Sequence, residues 1–174
     1  MKKLTLLLAV CTMLAACNNQ TKPAEQSMAD AKPAMDSKQE RNKKIIMASM
    51  DATAKGDVDG LLKDAAANFT DYNDGSMAPV TNIDSLKGFI KMLFHTIEGY
   101  KPENTMLVAE GDYVVAYANW SGIFKNDLMG IKATGKKVSF PDADIFKLNE
   151  EGKIIEHRSV QNIGAVLMAS SSTK

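Results

Sequence analysis

The stretch that decides the fold is residues 142–162, DADIFKLNEEGKIIEHRSVQN. Two runs rich in strand-forming side chains flank the turn sequence NEEG at 149–152, which predicts a hairpin of two antiparallel strands. Side chains two positions apart on a strand share a face, so Asp144 stands in line with Phe146 and Leu148. A carboxylate on an apolar face needs either a bonding partner or a pocket. The question of function therefore centres on Asp144.

A second hairpin is predicted earlier in the chain. Residues 105–124, TMLVAEGDYVVAYANWSGIF, contain two β-rich runs on either side of the turn Glu110-Gly111-Asp112. Residues 68–79, NFTDYNDGSMAP, begin as a short strand and continue as turn-forming residues. The C-terminal half of the domain is therefore predicted to be a curved antiparallel sheet.

Apolar side chains at helical spacing predict three helices before the sheet. The first has its apolar positions at Ile46, Met47, Met50 and Ala54. Gly56 ends this helix, and Asp57 is suited to cap a short second one. The third, at residues 84–97, carries one continuous apolar stripe, and its His95 lies on another, solvent-exposed face. Helices followed by an antiparallel sheet predict an α+β domain, and we do not expect His95 to be a ligand or a base.

The N-terminus has the layout of a secretory signal. Two lysines after Met1 precede an apolar run from Leu4 to Ala16 that is too short to span a bilayer. Its end, LAAC at 14–17, resembles the lipobox of bacterial lipoproteins, in which the cysteine is acylated and becomes the first residue. Residues 1–16 are therefore predicted to be a signal peptide and Cys17 a lipidation site in the cell envelope, at the outer membrane facing the periplasm. The alternative is an ordinary signal peptide with an incidental cysteine.

Composition sets the remaining boundaries of the chain. Residues 18–38 are rich in Ala, Lys, Pro, Gln and Ser, so we predict that residues 17–38 form a flexible tether after the lipidated cysteine. One domain is then expected at residues 39–168, a usual size for a single core. Residues 169–174 are expected to be a disordered tail.

Charge and motif content exclude several classes of function. The chain has 21 basic and 21 acidic side chains, and loss of the signal removes two lysines, which argues against nucleic-acid binding. Two histidines give no metal-ligand spacing, and no nucleophile motif is present. We therefore expect no cofactor and no metal.

Four stretches carry a resemblance when they are taken in order: NFTDYNDG at 68–75, DSLKGFIKMLF at 84–94, LVAEGDYVVAY at 107–117 and ATGKKVSFPDADIFKLNEEGKIIEHRSV at 133–160. Together they resemble the SnoaL-like polyketide cyclases, a branch of the cone-shaped superfamily of nuclear transport factor two and ketosteroid isomerase. The resemblance implies a cone-shaped α+β barrel in which three N-terminal helices pack in the curved sheet and leave a deep apolar cavity. It also suggests pairing of two copies through the outer sheet face, although the sequence does not fix the oligomer.

The same resemblance assigns roles to individual residues. Asp144 matches the family's general base, and burial among apolar walls would raise its pKa. Tyr72 stands where the cyclases often carry His, so it is the predicted hydrogen-bond donor to a developing oxyanion. Arg158 replaces an aromatic residue. From the parity of Ile154 we expect Arg158, rather than His157, to face the cavity.

The predicted ligand-binding residues are Phe89, Trp120, Phe146 and Arg158. The alternative for Asp144 is a structural role, in which it bonds to Arg158, Tyr72 or backbone N–H groups.

Two hypotheses of function follow. In the first, a membrane-anchored domain binds a small apolar or amphipathic molecule in its cavity without catalysis. In the second, the domain is an ester cyclase or isomerase in which Asp144 removes a proton from carbon next to a carbonyl. A ligand bound in the cavity and a lipid at the N-terminus are the expected partners in both.

Overall fold

The computed structural model describes residues 24–172. The predicted signal peptide, Cys17 and the first part of the predicted tether lie outside these residues. In chain order the elements are α1 (Ala24–Ala54), α2 (Val58–Leu61), β1 (Ala65–Asp71), α3 (Ile83–Thr96), β2 (Ile97–Glu110), β3 (Tyr113–Phe124), β4 (Lys137–Leu148), β5 (Ile154–Ser159) and α4 (Ile163–Ser172). Three helices before the main run of strands confirm the predicted α+β class.

The five strands form one sheet in the order β1-β5-β4-β3-β2. The two predicted hairpins are present, because β2 pairs antiparallel with β3 and β4 pairs antiparallel with β5. Their turns fall at residues 111–112 and 149–153. The pair β1–β5 is parallel, a feature that the sequence did not reveal. This pairing places the C-terminal end of β1 beside the middle of β5, and both of these segments contribute residues to the site.

An irregularity in β5 determines which of its side chains face inward. Leu148 pairs with Ile154, whereas the preceding Lys147 pairs with Glu156, so Ile155 is an extra residue on the β5 side. An extra residue reverses the alternation of faces beyond it. His157 is consequently directly opposite Phe146 and on the same face of the sheet. The centroids of the imidazole and phenyl rings are 4.9 Å apart.

The core lies between the helices and the inner face of the sheet. Alternate residues of β3 are buried, as a half-buried strand requires, and Val114 and Ala116 are fully so. They belong to the same cluster as Ile46 of α1 and Ile90 of α3. The Asn82 side chain caps α3 by accepting a hydrogen bond from the backbone N–H of Ser85.

Two segments predicted to lack structure are helical. Helix α1 begins at Ala24, so the prediction of a flexible tether is wrong for residues 24–38. Ala, Gln, Glu, Lys and Met have high helix propensity, and Lys38 Nζ lies 2.6 Å from carboxylate oxygens of Asp112 and Glu150, which ties this segment to the domain. No helix within residues 24–172 has the length and apolar character needed to cross a bilayer.

The predicted disordered tail, residues 169–174, also differs from the structure. Helix α4 runs to Ser172. The Asn162 side chain accepts a hydrogen bond from the Ala165 backbone N–H at its start, and Leu167 is fully buried in a second core cluster with Phe124. Burial of a leucine side chain contributes about 1.5–3 kcal/mol, which is enough to hold a short helix against the domain.

Candidate functional site

A cavity of about 340 Å³ lies between the helices and the inner face of the sheet. Its walls are mainly apolar, and many are aromatic: Phe89, Phe94, Tyr100, Trp120, Phe140 and Phe146. Small-molecule sites in proteins have this character, with a few polar groups that orient the ligand. In this cavity the polar groups are concentrated where β1, β5 and β4 lie side by side.

The centre of the polar region is His157, held between two carboxylates. Its Nδ1 lies 2.9 Å from Asp71 Oδ1, and its Nε2 lies 3.1 Å from Asp144 Oδ1. The three residues come from adjacent strands, since β5 lies between β1 and β4. Both carboxylates are buried, with Asp71 6% and Asp144 7% exposed. An imidazole that bonds to a carboxylate through each nitrogen is fixed in orientation, and so are both acids.

The two carboxylates keep His157 protonated. Burial alone would lower the pKa of His157, but its hydrogen bonds to Asp144 and Asp71 and the charges of these acids outweigh that effect and raise its pKa to about 10. At neutral pH the ring is therefore an imidazolium that donates a hydrogen bond to each acid. Burial also raises the pKa of Asp144, and its bond to His157 only partly opposes this shift.

A third carboxylate, Asp142, lies two positions before Asp144 on the same face of β4. Its oxygens accept hydrogen bonds from the Ser159 hydroxyl at 2.6 Å and from backbone N–H groups of Ala143, Val160 and Gln161 at 2.7–3.2 Å. Such a set of donors is matched to an ionised carboxylate, which is an acceptor only. Asp142 is therefore a negative charge that is bonded by neutral groups.

Three buried polar atoms of cavity-lining residues have no hydrogen-bond partner among the described residues. They are Asp144 Oδ2, the oxygen not bound by His157, Trp120 Nε1 and Asn73 Nδ2. Trp120 stacks on Tyr100, with ring centroids 4.8 Å apart and planes 16° from parallel. Burial, followed by the charges of Asp144 and Asp142, raises the pKa of Tyr100 well above its usual value, so its hydroxyl stays neutral. The residues that line the cavity thus carry one unpartnered carboxylate oxygen, one unpartnered indole N–H and one unpartnered amide nitrogen.

The predicted site residues divide into two groups. Asp144, Trp120, Phe146 and Phe89 all line the cavity. Arg158 and Tyr72 do not, and the prediction that Arg158 faces inward is wrong. The Arg158 side chain is 49% exposed, and its guanidinium carbon lies 3.8 Å from the centre of the Tyr72 ring. Beyond Ile155 the alternation of β5 is reversed, which turns His157 inward in its place.

The contacts of Asp144 also differ from those that the structural alternative required. Asp144 bonds to His157, not to Arg158 or Tyr72. The neighbour of Tyr72, Asp71, supplies the polar group that β1 presents to the site. No group of three or more His, Cys, Asp and Glu residues between positions 24 and 172 is arranged to hold a metal ion.

Sequence reasoning missed His157, Asp71, Asp142 and Tyr100. For two of them a signal was present. Asp71 follows Phe69 at a spacing of two, and both are buried, which is the same pattern that drew attention to Asp144. Asp142 shares the face of Asp144 by the same rule. His157 could not be found in this way, because the extra residue in β5 leaves no mark in the hydrophobic pattern.

The fold and the site define a class: a cone-shaped α+β domain whose helices close one face of a bent sheet over an acid-lined apolar cavity. A model of the family described as SnoaL-like polyketide cyclase matches residues 44–169, and the chain belongs to this family. Comparison with curated proteins gives no match.

Several solved structures have the same fold. A protein from Jannaschia sp. CCS1, described as a SnoaL-like polyketide cyclase, has a TM-score of 0.69 and 24% identity, with 78% of this chain and 95% of that chain covered. TsrD from Streptomyces laurentii has a TM-score of 0.66 and 21% identity, with coverage of 78% and 98%. A protein with a ketosteroid isomerase-like fold from Catenulispora acidiphila, in complex with trimethylamine, has a TM-score of 0.57 and 20% identity, with coverage of 70% and 88%. At these identities the likeness concerns the fold.

Proposed function

We propose that this domain binds a small, mainly apolar molecule in its cavity and orients it by a hydrogen bond to Asp144. The observation that carries the proposal is the unpartnered Oδ2 of Asp144, a residue that lines an apolar cavity. A buried polar atom without a partner costs about 1–3 kcal/mol. A ligand with one hydrogen-bond donor recovers this free energy on binding, while its apolar body replaces water against the aromatic walls.

The geometry of Asp144 also supports a second candidate, general-base catalysis. One carboxylate oxygen is fixed by His157 and the other is unbonded, so the side chain is both oriented and available to accept a proton. Burial raises its pKa, which favours proton transfer to it from carbon next to a carbonyl. The imidazolium of His157 works against this role, because it stabilises the ionised form of Asp144. Binding is therefore the primary proposal, and an isomerase or ester cyclase reaction is the alternative.

The test uses the single tryptophan of the chain, Trp120, as a fluorescent reporter on the cavity wall. Molecules that copurify with the protein are identified by mass spectrometry and titrated back after removal. Asp144→Asn should weaken binding of a ligand that donates a hydrogen bond to Oδ2. Asp51→Asn, the same change at an exposed position of α1, should leave binding unchanged.

The two candidates give different results in this comparison. If Asp144→Asn abolishes turnover of a carbonyl compound that it still binds, the catalytic alternative is correct. If the quenching of Trp120 by every copurified molecule is the same in the wild type and in Asp144→Asn, the assignment of Asp144 as the orienting group fails.

We also propose that the domain is anchored by a lipid on Cys17 at the outer membrane and faces the periplasm. The LAAC sequence at 14–17 supports the anchor. Labelling with a radioactive fatty acid should mark the wild type and not Cys17→Ser. Recovery of the label on Cys17→Ser, or of the unmodified wild type in the soluble periplasmic fraction, would exclude the anchor.

A homodimer through the outer sheet face is the proposed assembly. Large apolar side chains are exposed there on neighbouring strands, with Met106 57%, Val108 56% and Tyr117 41% exposed, and Met106 pairs with Tyr117. Light scattering of the purified protein should give twice the chain mass, and Val108→Lys should convert it to a monomer. A monomeric wild type would refute this assembly.

A further inference from the structure

The charges around the cavity do not balance. Asp71, Asp74, Asp142 and Asp144 all line it, and His157 is the one group of the described lining that carries a positive charge. Lys and Arg are absent from the lining as far as residues 24–172 are concerned. Arg158, the cation that the sequence placed here, points to solvent.

The excess of negative charge does not depend on where the shared proton lies. If Asp144 and His157 are one carboxylate and one imidazolium, the pair is neutral, and Asp71, Asp74 and Asp142 leave three negative charges. If Asp144 also takes up a proton, two negative charges remain. The neutral donors around Asp142 stabilise its charge and do not cancel it. In a space of low polarity such a charge attracts a cation strongly.

The unpartnered oxygen shows where a cation would bind. Asp144 is 7% exposed, lines the cavity, and has its Oδ2 without a partner among the residues described. Carboxylate oxygens form their strongest hydrogen bonds with charged donors such as a protonated amine. Tyr100 and Trp120 form a stacked aromatic wall in the same cavity, and aromatic faces attract organic cations.

We infer that the ligand of this cavity is an organic cation: a protonated amine carried on an apolar body, with its N–H directed at Asp144 Oδ2 and its alkyl groups against the aromatic wall. This inference rests on the proposed function, since it names the chemical class of the molecule that the cavity binds. It differs from the catalytic alternative, which requires a neutral carbonyl compound beside the same oxygen.

Three probes of nearly the same shape separate charge from size. Benzyldimethylamine is protonated at neutral pH and has one N–H donor, benzyltrimethylammonium has the charge without a donor, and neopentylbenzene is the uncharged carbon analogue. Each is titrated into the purified protein while Trp120 fluorescence or heat is recorded. Affinity should fall in that order, with the tertiary amine binding about tenfold or more tightly than the hydrocarbon, which corresponds to about 1.4 kcal/mol.

Asp144→Asn tests the contact itself. It should remove most of the preference for the amine and leave the affinity for neopentylbenzene within about twofold, because the size and the apolar walls of the cavity are unchanged. Asp51→Asn serves as the control for loss of a carboxylate elsewhere. The wild-type comparison of the three probes needs no variant, so the inference remains testable if Asp144→Asn does not fold.

The possible results separate this inference from the proposed function. Equal affinity for the amine and the hydrocarbon, or tighter binding of the hydrocarbon, overturns the inference and leaves a cavity that binds apolar molecules. Failure of all three probes to bind counts against the proposed function itself. A preference for the amine that persists in Asp144→Asn also overturns the inference, since the charge would then act from another place.

Discussion

Replacement of His157 by Gln should destabilise the protein strongly, because two buried carboxylates lose the cation between them. The pKa of His157 rises from 6.5 to about 10 on folding. At about 1.4 kcal/mol for each pKa unit, this is about 5 kcal/mol of stabilisation from the charged ring below pH 6.5 and about 4 kcal/mol at pH 7. Removal of one partner from a buried ion pair costs about 3–5 kcal/mol in other proteins, so the two figures agree.

The stabilisation by His157 should depend on pH, and its direction follows from the raised pKa. A base whose pKa is higher in the folded state stabilises that state fully at pH values below its unfolded pKa. The stabilisation is lost as the pH rises through the folded value. For His157 the contribution should be complete below about pH 6.5 and should decrease between pH 6.5 and 10. The difference in free energy of unfolding between the wild type and His157→Gln should decrease over the same range.

Urea denaturation followed by Trp120 fluorescence measures both quantities. Arg158→Gln is the matched control, because Arg158 is adjacent in sequence and points to solvent, and its loss should cost no more than about 1 kcal/mol, the contribution of its exposed stacking on Tyr72. In the double variant His157→Gln/Asp144→Asn the loss should be smaller than in His157→Gln, since one of the two unpaired acids is then neutral. A loss below about 1 kcal/mol for His157→Gln at pH 7, or parallel pH profiles for it and the wild type, would refute the proposed charge arrangement.

Three further substitutions test separate parts of the structure. Trp120→Phe removes an indole N–H that has no partner within residues 24–172, so it should cost only the lost packing, about 1–2 kcal/mol in the free energy of unfolding measured by circular dichroism; a loss above about 3 kcal/mol would contradict the absence of a partner for the N–H. Leu167→Ala should destabilise the domain by about 2–5 kcal/mol if α4 is docked as described, and no change in the urea midpoint would return the C-terminus to a disordered tail. Gly122→Ala should cost about 1–3 kcal/mol, because a Cβ at this position overlaps the Ile97 side chain; wild-type thermal stability would contradict that packing.

The strands and helices could be predicted because their patterns are local. Phe146 and Leu148 alternate with polar residues, and the apolar stripe of 84–97 has helical period, so each element shows its buried face in its own sequence. Asp144 was found by the same alternation. The parallel pairing of β1 with β5 could not be found, since it depends on contacts between segments far apart in the chain.

Strand alternation alone does not predict which side chains of β5 face the cavity. From Ile154 a regular strand would turn Glu156 and Arg158 to the interior, and the sequence offers no sign of the extra residue at 155. That single residue exchanges Arg158 for His157 at the cavity. It changes the chemistry of the site from a guanidinium beside one acid to an imidazolium shared by two. The identity of the cation at the centre was thus set by a local irregularity of the sheet.

The same centre explains why the cavity is more than a packing defect. Asp144 Oδ2 and Trp120 Nε1 are each buried without a partner in the described part of the chain, and each costs about 1–3 kcal/mol in the ligand-free domain. Apolar groups of the same shape in place of Trp120 and of the Asp144–His157 pair would relieve that cost. A domain that only needed to fold would gain from this exchange. Asp144 and Trp120 line a cavity with aromatic walls and surplus negative charge. A bound molecule that donates a hydrogen bond to the carboxylate would offset the free-energy cost of keeping these polar groups in the core.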